Sequence, residues 1–476
     1  MSIESLLGLP FRAFANLVIG FLIFGVALQH TGGGQFFIDL AFALLGRVRG
    51  GPAKVAVVSS GLMGSMSGSV ITNVLTTGQL TIPAMKKSGF DSETAAGVEA
   101  CASTGGVLLP PIMGSTAFVM ATFLDMPYYQ VALAAAIPAL LYFVALFMQL
   151  DAYAARESLK GIDKSELPSV METLKQGWYF AGAFIILVVL LLVMQREALA
   201  PWVATLALLI LNQFSKVHRF DLKGLLAFVT AAGALLVELL VVLSGVGLVV
   251  GALSMTGLSG TLVNDLLFLA GGSLTMLLLM GALTSFILGI GMTVTAAYIF
   301  LAIVLAPALI QGGLSPLAVH LFILYWGMLS FITPPVALGA FAAASIASSN
   351  PMRTGFAAMR LGACTYLIPF FFVLEPALIL NDTWMNTIFS TAEVLAGLFL
   401  ISGAVQRYLP FVGKLDSSWG ISQWGVGIAG LLLAVPGLAP LGVAVENWQL
   451  NLIGAVTLIG ALGILKLGTR NPEQSG

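Results

Sequence analysis

The sequence predicts an all-α polytopic membrane protein of about 11 spans plus two re-entrant hairpins, arranged as inverted repeats. Three observations carry that prediction. Of 476 residues, 59% are hydrophobic and 9% charged, against roughly 25% charged in a soluble domain, so polar side chains cannot cover a soluble surface. The apolar residues fall in runs of the length, about 20 residues, that a helix needs to cross about 30 Å of hydrocarbon. Helix-breaking residues recur at one fixed spacing. A net charge of −1 offers nothing to nucleic acid. Cys101 and Cys364 lie inside apolar runs and read as small buried hydrophobes, without disulfide or zinc spacing. Residues 1–29 do not read as a cleaved signal, since a basic leading segment is lacking and the apolar run has the length of a span.

Apolar runs at 11–29, 127–150, 178–194, 201–214, 228–256, 360–380, 386–403, 423–441 and 450–465 are the clear spans. Basic residues cluster between them: Arg47, Arg49 and Lys54; Lys86 and Lys87; Arg156, Lys160, Lys164 and Lys175; Lys216, His218, Arg219 and Lys223. Arg353 and Arg360, Arg407 and Lys414, and Lys466 and Arg470 follow. All can share the cytoplasmic face by the positive-inside rule, with Arg12 and Arg196 outside. That requires residues 54–86 to enter and leave on one side, as a re-entrant hairpin. Its first arm, 54–67, is about 20 Å long as a helix, too short to cross. Its turn falls at Ser67-Gly68-Ser69. With Lys54 inside, the N-terminus lies outside. Residues 151–177 form a charged cytoplasmic linker between the halves.

A shift of 224 residues, without a gap, sets Pro83-Ala84 on Pro307-Ala308, Gly89 on Gly313, Pro110-Pro111 on Pro334-Pro335 and Pro127 on Pro351. Short gaps extend the match to Thr31-Gly32 on Thr256-Gly257 and to Asp39 near Asp265. Charges show the copies to be inverted: Lys86-Lys87 corresponds to Ile310-Gln311, whereas Asp125 precedes Pro127 and Arg353 follows Pro351. The expected organisation is a first repeat over 1–150 with a hairpin at about 52–88, and a linker with connecting spans over 151–225. A second repeat over 226–357 has its hairpin at about 273–312, and C-terminal spans occupy 358–476. The second hairpin turns near Gly291-Met292-Thr293 and opens to the outside. Each hairpin precedes an apolar stretch broken at a proline pair, 94–124 and 316–348. Proline frees carbonyls that lipid cannot satisfy, and breaks facing each other at the midplane can ligate a small cation or present N–H groups to an anion. A transporter and a symmetric channel both fit this pattern.

Hydroxyls and glycines gather at the turns and breaks. The first cluster is Ser65, Ser67, Gly68, Ser69, Thr72 and Asn73, facing Ser103, Thr104, Gly105 and Gly106; the second is Gly289, Gly291, Thr293 and Thr295, facing Ser330 and Thr333. Neutral oxygens suit a hard monovalent cation; close helix packing is the other reading of small residues. The ionisable groups at depth are Glu99, Glu238, His320, Asp39 and Asp265. Such groups are functional candidates by default, and Glu99 and His320 stand first, as proton-coupling residues. Asp39 and Asp265 are expected at the interface, near each hairpin's mouth. No enzyme motif and no nucleotide-binding loop occurs, so an ion gradient or the substrate's own gradient supplies the drive.

Five segments, RGGPAKVAVVSSGLMGSMSGS, VEACASTGGVLLPPIMGSTAFVMA, TAAYIFLAIVLAPAL, HLFILYWGMLSFITPPVALGAFAAASIA and NPMRTGFAAMRLGA, resemble the large permease component of tripartite ATP-independent periplasmic (TRAP) transporters, most closely the TAXI branch. The likeness runs from about residue 10 to about residue 400. It implies an elevator-type secondary transporter of the bacterial or archaeal cytoplasmic membrane, with scaffold and transport domains and no cofactor beyond Na⁺ or H⁺ as coupling ion. A soluble periplasmic binding protein would deliver small organic acids, dicarboxylate or glutamate-like. Carried over residue by residue, cation sites fall on Ser67, Ser69, Asn73, Ser103, Thr104 and Gly105, and on Gly291, Thr293, Thr295, Ser330 and Thr333. Substrate would lie between the tips, near Ser67, Gly68, Gly106, Met292 and Pro334. Fused TAXI permeases resemble this chain but carry further spans ahead of the position of Met1, so the small membrane component is expected either as a separate subunit or on a longer chain. A single-component divalent-anion-type transporter and, more remotely, an ion channel are the alternatives.

Overall fold

The computed structural model describes residues 11–12, 14–215, 219–415, 420–438 and 441–468; Lys216, His218 and Arg470 lie outside these. The described chain is helical apart from one two-stranded hairpin, β1 (Tyr408–Leu409) and β2 (Gly413–Lys414). The first half contains α1 (Ile19–His30), α2 (Gly33–Leu45), α3 (Gly51–Ser67), α4 (Val70–Lys87), α5 (Ser92–Gly106), α6 (Gly114–Phe123) and α7 (Tyr128–Arg156). A linker follows with α8 (Val170–Gln176), α9 (Trp178–Val188) and α10 (Ala200–Asn212). The second half contains α11 (Leu222–Thr256), α12 (Leu258–Ala270), α13 (Leu274–Gly289), α14 (Val294–Val304), α15 (Ala306–Gln311), α16 (Pro316–Leu329), α17 (Leu338–Ala347) and α18 (Pro351–Leu361). The chain continues through α19 (Ile368–Leu374), α20 (Trp384–Gln406), α21 (Ile421–Ala434) and α22 (Asn447–Gly468).

Four helices among the described residues are long and apolar enough to cross a membrane: α7, α11, α20 and α22. The number rises to seven if three bent pairs each count as one span. The sequence expectation of about 11 spans counts apolar runs, several of which the backbone divides into shorter helices. Hydropathy counts apolar residues and does not register where the backbone stops being a helix; the remaining apolar helices have only 10–17 residues. The run 360–380 shows the effect. It is not one helix but α18 and α19 bent by 68° around a 3₁₀ turn, followed by a second such turn at Pro376–Ile379.

The hairpins form where local chemistry ends one helix and starts the next. Gly68 closes α3 in the left-handed conformation, at φ 64°, and Ser69 caps α4 by accepting from the Thr72 N–H at 3.3 Å. Ile290 to Thr293 separate α13 from α14, and Thr293 accepts from the Ala296 N–H at 3.4 Å. Helix α5 ends before Pro110-Pro111 and α16 before Pro334-Pro335, and both proline pairs are joined by a cis bond.

Several basic segments converge on one end of the molecule. Arg49 and Lys54 pair with Asp151, Lys87 with Glu166, and Arg360 lies over the Tyr153 ring. Lys86, at the base of the α3–α4 hairpin, donates to the Ala347 carbonyl at the end of α17 at 2.8 Å. In the other direction α6 ends at Phe123, whose ring stands 6.4 Å from that of His320, just after the base of the α13–α14 hairpin. Each repeat's second half-helix therefore ends beside the other repeat's hairpin base. Tips meet while bases point apart.

Candidate functional site

The two tips enclose a cavity of about 310 Å³. Ser67, Gly68, Ser69 and Thr72 come from the first tip, and Gly291, Met292, Thr293 and Thr295 from the second. Ser115 of α6, Leu338 of α17, Glu238 with its neighbours on α11, and the apolar Leu22, Ile71 and Phe331 also line the wall. Four helices begin at this cavity, because Val70, Ser115, Val294 and Leu338 lie in the first turns of α4, α6, α14 and α17. Helix N-termini expose unpaired N–H groups and the positive end of the macrodipole, so the cavity attracts anions without a basic side chain. Its only charged lining residue among those described is Glu238.

The first tip is held by direct contact of main chains. A Cβ on Gly68 would stand 2.8 Å from the Gly114 Cα, so a side chain there would force α3 away from α6. At Gly291, also at positive φ, nothing lies within 4 Å of such a Cβ.

Behind the first tip, Glu99 of α5 is fully buried. Its Oε1 accepts from Ser60 Oγ at 2.7 Å and Ser103 Oγ at 3.1 Å, and also from Thr77; Thr81 donates to Oε2. The Asn73 amide donates to the Ser60 carbonyl at 2.8 Å and to Ser103 Oγ at 3.0 Å, while its own Oδ1 is buried without a partner. Asn73 and Ser103 thus meet across the hairpin and the broken helix. Thr104 turns away and donates to the Ala100 carbonyl at 2.8 Å. Gly105 sits under the Tyr142 ring, where a Cβ would lie 2.3 Å from a ring carbon. Ser65 donates to the Leu62 carbonyl, and Ser67 makes long contacts of 3.5 and 3.4 Å to the Gly64 and Ser69 carbonyls.

The second cluster divides differently. Ser330 donates to the Gly289 carbonyl at 3.0 Å, tying the break to the end of α13. Thr333 pairs with Tyr366 and Thr295 pairs with Ser115 and Thr116 of α6 at 3.0 and 2.9 Å. The start of α14 thus lies against the other repeat's half-helix α6 as well as packing on α16, and its Thr295 hydroxyl pairs with α6. Of the predicted substrate residues, Ser67, Gly68 and Met292 line the cavity. Gly106 instead packs on the Gly64 Cα, and Pro334 on Gly355 of α18. Both belong to breaks that lie behind the tips.

His320 is buried on α16 and pairs through Nδ1 with the Tyr298 hydroxyl at 2.6 Å. Its surroundings do not resemble those of Glu99, although both stand on helices leading to breaks. Asp39 accepts from Gln35 at 2.8 Å beside the α8–α9 corner, and Asp265 is exposed on α12. Among the described residues no cluster of three His, Cys, Asp or Glu side chains could hold a metal. Ser115, Thr116, Ser60, Thr77 and Thr81 were not singled out from the sequence. For Thr77 and Thr81 a signal existed: with Ser69 and Asn73 they recur every four residues, on one face of α4.

The architecture defines an all-helical membrane protein whose two hairpins meet at a central cavity. The family described as "Tripartite ATP-independent periplasmic transporter, DctM component" matches residues 2–387, and the chain belongs to it. It is a multi-pass permease of the bacterial inner membrane and not an enzyme. Among relatives, the C4-dicarboxylate TRAP transporter large permease protein DctM of Vibrio cholerae is 24% identical over 83% of this chain and 91% of its own. The isethionate TRAP transporter permease protein DctMQ of Oleidesulfovibrio alaskensis is 26% identical over 71% of this chain and 53% of its own. The sialic acid TRAP transporter large permease protein SiaM of Vibrio cholerae is 23% identical over 74% and 81%.

Proposed function

We propose that this chain is the large permease of a TAXI-type tripartite importer. It takes small organic acids, dicarboxylate or glutamate-like, from a periplasmic binding protein and moves them inward down a Na⁺ or H⁺ gradient. A small membrane component, separate or joined to the chain, completes the system. The observation that carries this reading is the tip cavity, where four helix N-termini and the hydroxyls of Ser67, Ser69, Thr72, Ser115, Thr293 and Thr295 surround a space of about 310 Å³. Carboxylate oxygens match such donors. The three relatives each carry an organic acid in their names.

In this reading the repeats at 1–150 and 226–357 each contribute a hairpin and a broken helix to a transport domain, which moves as an elevator against a scaffold that includes α7 and α11. Coupling cations would sit behind the tips, with Asn73 and Ser103 on one side and Ser330 with the Gly289 carbonyl on the other. Support for the TAXI branch comes from the run VEACASTGGVLLPPIMG between Val98 and Gly114. The test is uptake of labelled succinate and L-glutamate into vesicles holding the purified permease, its small component and its binding protein. Accumulation should require the binding protein and either an inward Na⁺ gradient or an acidic exterior. Equal uptake without the binding protein would point to a single-component carrier, and flux that does not saturate would point to a channel; either result overturns the proposal.

A further inference from the structure

Past the end of α20, a span by length and composition, the chain turns back on itself in the β1–β2 hairpin. The Gln406 carbonyl accepts from Arg156 at 2.8 Å and Arg49 lies beside the Tyr408 hydroxyl, so the hairpin stands at the basic end of the molecule. Its foot is held by protein. Leu409 and Leu415 are buried, a Cβ on Gly403 would stand 2.6 Å from the Leu409 side chain, and the Leu415 N–H donates to the Arg407 carbonyl at 3.0 Å. Its tip is not. The Val412 N–H donates to the Leu409 carbonyl at 3.1 Å and closes a turn in which Phe411 follows Pro410, with the Phe411 side chain fully exposed and Val412 exposed beside it. Phe411 also has φ 71°, at the place after proline that glycine fills without steric cost and a bulky residue does not. The ring buries nothing in return, so folding alone gives no reason for it. The flanking side chains of Arg407 and Lys414 are exposed and make no hydrogen bond or ion pair with any described residue. The next helix opens with Ile421 and Trp424, exposed as well.

We propose that the 408–414 hairpin is a lipid-binding anchor: Phe411 and Val412 enter the cytoplasmic leaflet while Arg407 and Lys414 hold the phosphates of anionic headgroups. An aromatic ring beside basic side chains at a helix end fits the level where acyl chains give way to headgroups. Charge selects the lipid class, because the cytoplasmic leaflet is negative and the stretch from Arg407 to Lys414 contains no acidic residue. A protein partner fits less well, since two exposed apolar side chains fall far short of the area a stable protein interface buries. The buried foot holds the ring in place, so the wedge is presented without a further loss of backbone freedom on binding.

Thermal unfolding of the purified full chain in detergent, alone and titrated with phosphatidylglycerol or phosphatidylcholine, tests this. Phosphatidylglycerol should raise the wild-type midpoint more than phosphatidylcholine does. The double variant Arg407→Gln with Lys414→Gln should bind phosphatidylglycerol about 25-fold more weakly, about fivefold for each charge removed. Phe411→Gly should unfold at or above the wild-type temperature in detergent alone, because glycine suits the turn, yet gain less from added lipid. Depth is read by a nitroxide on Phe411→Cys in phosphatidylglycerol nanodiscs, where Cys101 and Cys364 are buried. The label should be more accessible to oxygen than to a water-soluble nickel chelate. Greater access to the chelate places the tip in water and overturns the proposal. So does equal stabilisation of the wild type by the two lipids, or unchanged phosphatidylglycerol affinity in the double variant. A Phe411→Gly protein already destabilised in detergent alone shows that the ring is held by protein, and overturns it too.

Discussion

Along the first hairpin, Asn73, Thr77 and Thr81 stand one turn apart on α4, in register with the capping Ser69, and face Ser60, Glu99 and Ser103. At the positions 224 residues later the second hairpin has Thr293, Ala297, Leu301 and Leu305, and Ile323 stands where Glu99 does. The two copies keep the same breaks, Gly68 beside Gly291 in role and Pro110-Pro111 beside Pro334-Pro335, yet one is closed by a buried hydrogen-bond network and the other by apolar packing. Helix α3 is almost wholly buried, whereas Leu279, Leu283 and Ile287 of α13 are exposed. Duplication has preserved where the backbone must be irregular and let the side chains diverge. Behind the first tip the contacts are polar, whereas the second tip meets the other repeat through the Thr295 hydroxyl.

The largest effect should come from Glu99. Glu99→Ala removes the common acceptor of four buried hydroxyls and leaves a void, which should cost about 3–5 kcal/mol. Removing the single Tyr298 contact in His320→Leu should cost about 1 kcal/mol. Thermal unfolding of the two variants in nanodiscs measures the contrast, and equal losses would break the claim that the hairpins are held differently.

An intermediate effect separates the tips. Gly68→Ala places a Cβ against the Gly114 main chain as well as straining a positive φ, and should cost about 2–3 kcal/mol. Gly291→Ala meets open space and bears only the backbone penalty, about 1 kcal/mol. Transport rates at a fixed gradient should fall in the same order, and a more severe defect in Gly291→Ala would reverse the comparison.

The smallest effect concerns the contact between repeats. Thr295→Val deletes the hydroxyl shared with Ser115 and Thr116 and should cost about 1–2 kcal/mol, while Thr295→Ser should restore most of it. Unfolding midpoints of the pair decide the matter. If valine is tolerated as well as serine, the α14–α6 contact holds by shape alone.

Much of this frame is legible in the residues. The Lys54 and Lys86-Lys87 clusters bracket a segment too short to cross twice, so the first hairpin follows from length and charge. The turns at Gly68 and near Gly291 follow from glycine and hydroxyl caps. The span count was less legible, because 360–380 reads as apolar throughout while its backbone bends by 68° between α18 and α19. At the site, the meeting of Asn73 with Ser103 was anticipated, but the fourfold ring around Glu99 was not, although the period of four along α4 was there to be counted.

What the sequence by itself determined is the solvent, the positions of helix breaks and the inverted duplication, because hydrophobicity, glycine and proline act within a few residues of themselves. Only the tertiary structure decided which partners those breaks acquire. Thr295 lies 179 residues from Thr116, and Glu238 reaches the tip cavity from a different helix. No periodicity links such pairs. Their meeting depends on how ten- to thirty-residue helices pack across the two repeats, where a displacement of one turn would give each hydroxyl a different neighbour.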